Sequence, residues 1–263
     1  MKNIFAWGVI VLFSLVSFAN AEIKTEEIEY SHDGTKLTGF LAFDDSTEKR
    51  PGLIVVHEWW GHNDHARNRA KMLAEAGYTA FALDMYGDGK FANHPKKAGE
   101  FMNAAFNNWP KSQARYNKAL EILKAHKTVD GTRIGSIGFC FGGAVSIKMA
   151  REGADLKGIV GFHSALPMEP AIKKNSMKSA VLIINGSEDG FLKPETVAAF
   201  SQEMFKSNVD FTYMNLKGVK HSYTNPQADE FSKNFDIPAL QYNKKADEQA
   251  WSEMLKFFQR VFN

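Results

Sequence analysis

From residue 53 onward the chain carries five short apolar runs, at residues 53–56, 79–83, 134–139, 156–162 and 181–184. Each is nearly continuous rather than alternating, the pattern of strands buried on both faces of a parallel sheet. Helical patterns separate them, at 65–76, 110–126, 142–151 and 194–206. Parallel neighbours need a crossover connection and a helix supplies it, so this alternation predicts a mostly parallel central sheet with helices on both faces. Residues 209–216 read as a further strand. Residues 246–262 read as a closing helix, with Ala250, Trp251, Leu255, Phe258 and Phe262 on one side. Ahead of this array, residues 27–32 and 36–43 alternate apolar and polar around Asp33-Gly34, the signature of an N-terminal antiparallel β-hairpin. No linker or repeat divides the array, so residues 22–263 are read as a single domain. Residues 86–108 and 221–241 read as irregular segments, and in such sheets they lie over the carboxyl ends of the strands, where ligands bind.

The first 21 residues are read as an address rather than as fold. Lys2 precedes an apolar run over residues 4–18, and Ala19-Asn20-Ala21 places small residues where a signal peptidase reads. The run is shorter than the ~20 residues that a spanning helix needs. The expectation is a signal peptide at 1–21 cleaved after Ala21, a secreted or periplasmic mature chain, and no stable membrane insertion afterwards. Lys plus Arg is 32 and Asp plus Glu is 30, a net charge of +2, so there is no electrostatic footprint for nucleic acid. The chain has one cysteine, which excludes an intrachain disulfide and a cysteine-rich metal site. No metal or cofactor is expected.

That cysteine sits in Gly138-Phe139-Cys140-Phe141-Gly142-Gly143, after a strand pattern and before a helix pattern. The spacing G-x-C-x-G is that of a nucleophile elbow with sulfur in place of a hydroxyl. The glycines let a tight strand-to-helix turn approach neighbouring backbone. The helix N-terminus favours thiolate, and the N–H of Phe141 is a natural oxyanion donor. A thiol nucleophile needs a base and an orienting acid, which follow an elbow in the order nucleophile, acid, histidine. His221 is the only histidine after residue 184, and Asp189 lies in Gly186-Ser187-Glu188-Asp189 just past a strand. Glu188 is the rival acid. His163 precedes Asp189 and breaks the order. A second loop, His57-Glu58-Trp59-Trp60-Gly61, ends the strand at 53–56, where Trp59 supplies a second oxyanion N–H and the two tryptophans wall a pocket.

These residues, with Leu83-Asp84-Met85-Tyr86 and His221-Ser222-Tyr223, resemble the dienelactone hydrolase family from about Glu27 to Phe262. The resemblance implies an α/β-hydrolase fold, a Cys140–His221–Asp189 triad and a small-molecule ester or lactone substrate. It also implies that Glu58 holds the resting thiol and that Tyr86, with Trp60 and Tyr223, lines the substrate pocket. The chain departs from the family at two arginines that hold a substrate carboxylate: the stretches after Tyr86 and after His221 contain none. Neutral substrates are therefore expected, unless Lys90, Arg67 or Arg115 reaches the pocket. Two other readings stand beside the hydrolase: a non-catalytic small-molecule-binding protein on this fold, and an exported thiol redox protein. The first is separated by ester turnover, the second by peroxide consumption.

Overall fold

The structure is a computed structural model that describes residues 22–45 and 48–263. The expected signal peptide at 1–21 lies outside the described residues. Among those described, no helix is long and apolar enough to cross a membrane.

The chain runs β1 (Ile23–His32), β2 (Thr35–Asp44), β3 (Arg50–Val56), α1 (Asp64–Glu75), β4 (Thr79–Leu83), α2 (Pro95–Asn107) and α3 (Trp109–Ala125). It continues through β5 (Val129–Phe139), α4 (Phe141–Arg151), β6 (Gly158–Phe162), β7 (Ala180–Gly186), α5 (Pro194–Lys206), β8 (Phe211–Leu216), α6 (Ala228–Phe235) and α7 (Lys244–Phe262). The strands form one eight-stranded sheet in the order β1-β2-β4-β3-β5-β6-β7-β8. β1 and β2 make the expected hairpin about Asp33-Gly34, and β2 joins β4 antiparallel. Every other pairing is parallel.

The continuous apolar runs hide an alternation that the packing exposes. Ile54, Val56, Phe81 and Leu83 face a core shared with α3, α4 and α5. Leu53, Val55, Ala80 and Ala82 face the opposite core, closed by α1 and α7. Successive strand residues point to opposite faces, so a strand buried on both must be apolar throughout.

Two helices depart from the sequence reading. α2 falls within residues 86–108 and α6 within 221–241. α2 opens with His94 accepting from the N–H of Lys96 and Pro95 in the first turn, yet buries only Ala98 and Ala105 fully. α6 spans 8 residues and packs Phe231 and Phe235 against Trp60. Each buries too narrow a stripe to stand out against its polar residues.

Candidate active site

β5 ends at Phe139 and α4 begins at Phe141, so Cys140 alone makes the turn. It does so at φ 52° and ψ −113°, a backbone region that L-residues avoid and that marks functional turns. Glycine is required on both sides. A Cβ on Gly142 would lie 2.2 Å from the carbonyl oxygen of Val56, and one on Gly138 would lie 2.1 Å from that of Gly142. Cys140 is held from the far side by its own N–H, which donates to Phe162 at 3.0 Å. The sulfur-bearing side chain remains partly exposed at the carboxyl end of the sheet.

His221 lies in the loop after β8. Its backbone is pinned to the segment preceding α7: its N–H donates to Ala239, and Gln241 donates back to its carbonyl. The imidazole Nδ1 donates to Asp189 Oδ2 at 2.7 Å. The other oxygen, Oδ1, accepts the N–H of Phe191 at 3.0 Å, so the carboxylate is fixed at both ends. Glu188 is exposed and plays no part in this contact. Burial alone would lower the His221 pKa. The negative form of Cys140 on one side and Asp189 on the other reverse that and raise it to about 10. Cys140, His221 and Asp189 line one cavity of about 230 Å³, with Trp59, Met102, Phe191 and Leu240 among its apolar walls.

The two backbone N–H groups expected as oxyanion donors are placed as follows. As first residue of α4, Phe141 has an N–H with no helical carbonyl to receive it. The N–H of Trp59 belongs to the Glu58–Trp59 peptide, and that plane is locked. His57 Nδ1 donates to the Glu58 carbonyl at 2.6 Å, and the N–H of Gly61 donates to the same oxygen at 3.1 Å. His57 is fully buried, its Nε2 accepts from the N–H of Met85 at 3.4 Å, and burial keeps it neutral by lowering its pKa. The Tyr86 hydroxyl donates to the next carbonyl, that of Trp59, at 3.0 Å.

The remaining expected residues are placed elsewhere. Glu58 is 1% exposed, and its oxygens accept from Ser222 Oγ at 2.7 Å and Asn225 Nδ2 at 2.5 Å. Its carboxylate therefore braces the His221 loop, where Ser222 sits at φ 55°, and among the described residues its hydrogen bonds run to that loop rather than to the Cys140 thiol. Burial pushes the Glu58 carboxyl pKa up, and the Ser222 and Asn225 hydrogen bonds hold it back. Three expected wall residues do not line the Cys140 cavity. Trp60 is buried against Phe231, with ring centres 4.3 Å apart. Tyr223 is core, its hydroxyl donating to Ile184 at 2.9 Å. Tyr86 lines an adjoining cavity instead. Chain spacing hid these outcomes because each is decided by elements distant in sequence.

Phe191, Met102 and Leu240 are cavity residues that the sequence reading missed. Phe191 lay within view, two residues past Asp189, and its ring meets the His221 imidazole edge-on with centres 4.9 Å apart. His163 is fully buried and bonds Thr224 Oγ1 at 2.8 Å, so it is structural. No lysine or arginine lines the cavity. Arg67 pairs with Glu27 and Lys90 with Asp88.

Known proteins resemble this chain over most of its length. Protein usf of Aquifex pyrophilus is 29% identical over 238 residues, 88% of this chain and 96% of the relative. The solved structure of a dienelactone hydrolase-like promiscuous phosphotriesterase from metagenomic libraries matches with a TM-score of 0.82 and 31% identity, covering 92% of this chain and 99% of that one. A structure named m3DLH matches with a TM-score of 0.85 and 34% identity, over 92% of this chain and 99% of its own. A sequence model described as the dienelactone hydrolase family matches residues 37–262. That match runs from within β2 through the whole of α7, and on it the chain belongs to the dienelactone hydrolase family of α/β hydrolases.

Proposed function

We propose that the chain hydrolyses a neutral carboxylic ester or lactone through a thioester on Cys140. The observation that supports this most is His221, fixed by Asp189 at 2.7 Å in the cavity that also holds the strained Cys140. The Cys140 thiolate attacks the carbonyl carbon while the N–H groups of Trp59 and Phe141 receive the oxyanion. The tetrahedral species collapses, the C–O bond breaks, and His221 gives its proton to the departing alkoxide. Water then attacks the thioester and passes a proton to His221. The C–S bond breaks, and the carboxylic acid and the thiolate–imidazolium pair are released.

A neutral substrate is supported by the cavity walls, which offer mostly apolar side chains and neither lysine nor arginine, the charge on His221 being balanced by Cys140 and Asp189. An arginine–carboxylate contact contributes roughly 1.5–3 kcal/mol, so an anionic substrate forgoes about tenfold or more in selectivity here. The metagenomic relative is named for phosphotriesters, which also carry no charge. The mature protein is read as exported, beginning at Glu22.

Cys140→Ala removes ester hydrolysis on this reading, and Cys140→Ser leaves a small remainder. Undiminished turnover by Cys140→Ala overturns it. A brief incubation with an acyl substrate analogue adds mass to the Cys140 peptide. For a matched neutral and anionic pair, kcat/KM favours the neutral member, and a tenfold preference for the anion contradicts the substrate assignment. N-terminal sequencing of protein from its native host finds Glu22 first, and Met1 there contradicts export by cleavage.

A further inference from the structure

Behind Tyr86 lies a second cavity, of about 250 Å³, between α2, α3 and the end of β4. The hydrolytic reading gives it no role. Its walls divide by chemistry. Met85, Tyr86, Phe101 and Ala105 make an apolar side, and Lys111 and Arg115 contribute two cations one helical turn apart. No acidic side chain lines it.

Arg115 differs from the equally buried Arg151 in its partners: Arg151 is paired with Glu203, whereas among the described residues no carboxylate is hydrogen-bonded to Arg115. It is 8% exposed, and its Nη1 donates to the Met85 carbonyl at 2.7 Å, yet its Nε is buried without a hydrogen-bond partner. Such an orphaned donor carries a cost, and a ligand or water normally satisfies it. The nearest acids do not satisfy it. Asp84 is taken by the N–H groups of Thr38, Tyr86, Gly87 and Gly89, and Asp88 pairs with Lys90. Lys111 is partly buried and makes no ion pair among the described residues. A lysine without an ion pair and an arginine without a hydrogen-bonded carboxylate, beside an apolar wall, suit an amphipathic anion, even though Asp84 and Asp88 act on Arg115 from nearby.

We propose that this cavity is a second ligand site, which takes a small organic carboxylate with its carboxyl group on Lys111 and Arg115 and its apolar body against Phe101 and Met85. Arginine presents a planar fork that suits a carboxylate, and lysine adds a movable second charge. The site is separate from the Cys140 cavity and stands whether or not the chain is an esterase.

The test uses the mature chain with Cys140 blocked by iodoacetamide, so that benzoate cannot report on the catalytic cavity. Benzoate titrated by calorimetry should bind one equivalent. Affinity should fall at least tenfold in Lys111→Met and in Arg115→Met. Ala104→Phe, which fills the exposed rim and keeps both charges, should also abolish binding. Inorganic phosphate should bind more weakly than benzoate, because it leaves the apolar wall uncovered. Absence of benzoate binding, or binding unchanged in Lys111→Met and Ala104→Phe, overturns the proposal. Phosphate binding tighter than benzoate overturns the assignment of ligand class. Lys111 and Ala104 are not buried in the core, so both variants test the site even where Arg115→Met fails to fold.

Discussion

His57 shows how much of the candidate site rests on a side chain that does not line its cavity. Its Nδ1–H fixes the Glu58 carbonyl, and a planar peptide then fixes the Trp59 N–H on the opposite edge. His57→Ala leaves that plane held by the Gly61 N–H alone. The expected loss is roughly 10²–10³-fold in kcat, the size of one missing oxyanion donor, while iodoacetamide still alkylates Cys140 at an unchanged rate. His57→Gln retains a donor and should recover part of the loss. A parallel loss of alkylation would mean that His57 instead supports the elbow. His221 makes a pH prediction. Its pKa is raised to about 10, so its proton is present at neutral pH and leaves as pH rises through that value. The alkaline limb of kcat/KM therefore lies near pH 10, because the leaving group then lacks its acid. Asp189→Asn removes one of the charges that hold the proton. The limb should move toward neutral pH, and kcat should fall by roughly 10²–10⁴-fold, the range of general acid–base contributions. A limb that stays in place would show that Asp189 does not tune His221. Chain order pointed to Asp189 as the partner of His221 and left Glu188 as its rival until the 2.7 Å contact decided between them, whereas the bracing of the loop by Glu58 was not legible at all. Its two partners lie 164 and 167 residues away, and no local pattern links them.

At the scale of elements, the turn between β5 and α4 is set by space as much as by dihedral angle. Gly142→Ala puts a Cβ against the Val56 carbonyl, and backbone inside a central sheet cannot yield as a flexible side chain would. The cost should be at least the roughly 1–3 kcal/mol of ordinary overpacking, read as a lower denaturation midpoint. Gly99→Ala, in α2 with nothing within 4 Å of its Cβ, is the matched control. It should be neutral or stabilising by about 1 kcal/mol, since alanine is the better helix former. The strands were legible because burial on both faces leaves no room for polar residues. The helices α2 and α6 were not, because they lie away from the sheet and bury little. Their positions are fixed by Trp60, Phe101 and their neighbours once the sheet exists.

The whole molecule is joined across both ends of the chain by Arg69. It is 4% exposed, and it lies between the rings of Phe139 and Trp251 at 5.7 and 5.3 Å. Its Nη2 reaches both carboxylate oxygens of Asp247, at 2.8 and 2.7 Å, and the Thr224 carbonyl at 2.5 Å. One guanidinium thus ties α1, β5 and α7 to the loop that carries His221. A buried ion pair is weak support for net stability, but breaking one partner leaves a charge stranded. Asp247→Ala should therefore cost about 3–5 kcal/mol, a fall in Tm of roughly 10 °C for a chain of this size. Replacing both partners with apolar residues, Arg69→Met with Asp247→Leu, removes the stranded charge and should return most of that Tm. Activity separates the two roles of Arg69. The double variant still lacks the anchor on Thr224, three residues beyond His221, so kcat/KM should stay low after stability has recovered. Recovery of both together would mean that Arg69 holds the fold and leaves the His221 loop to Glu58.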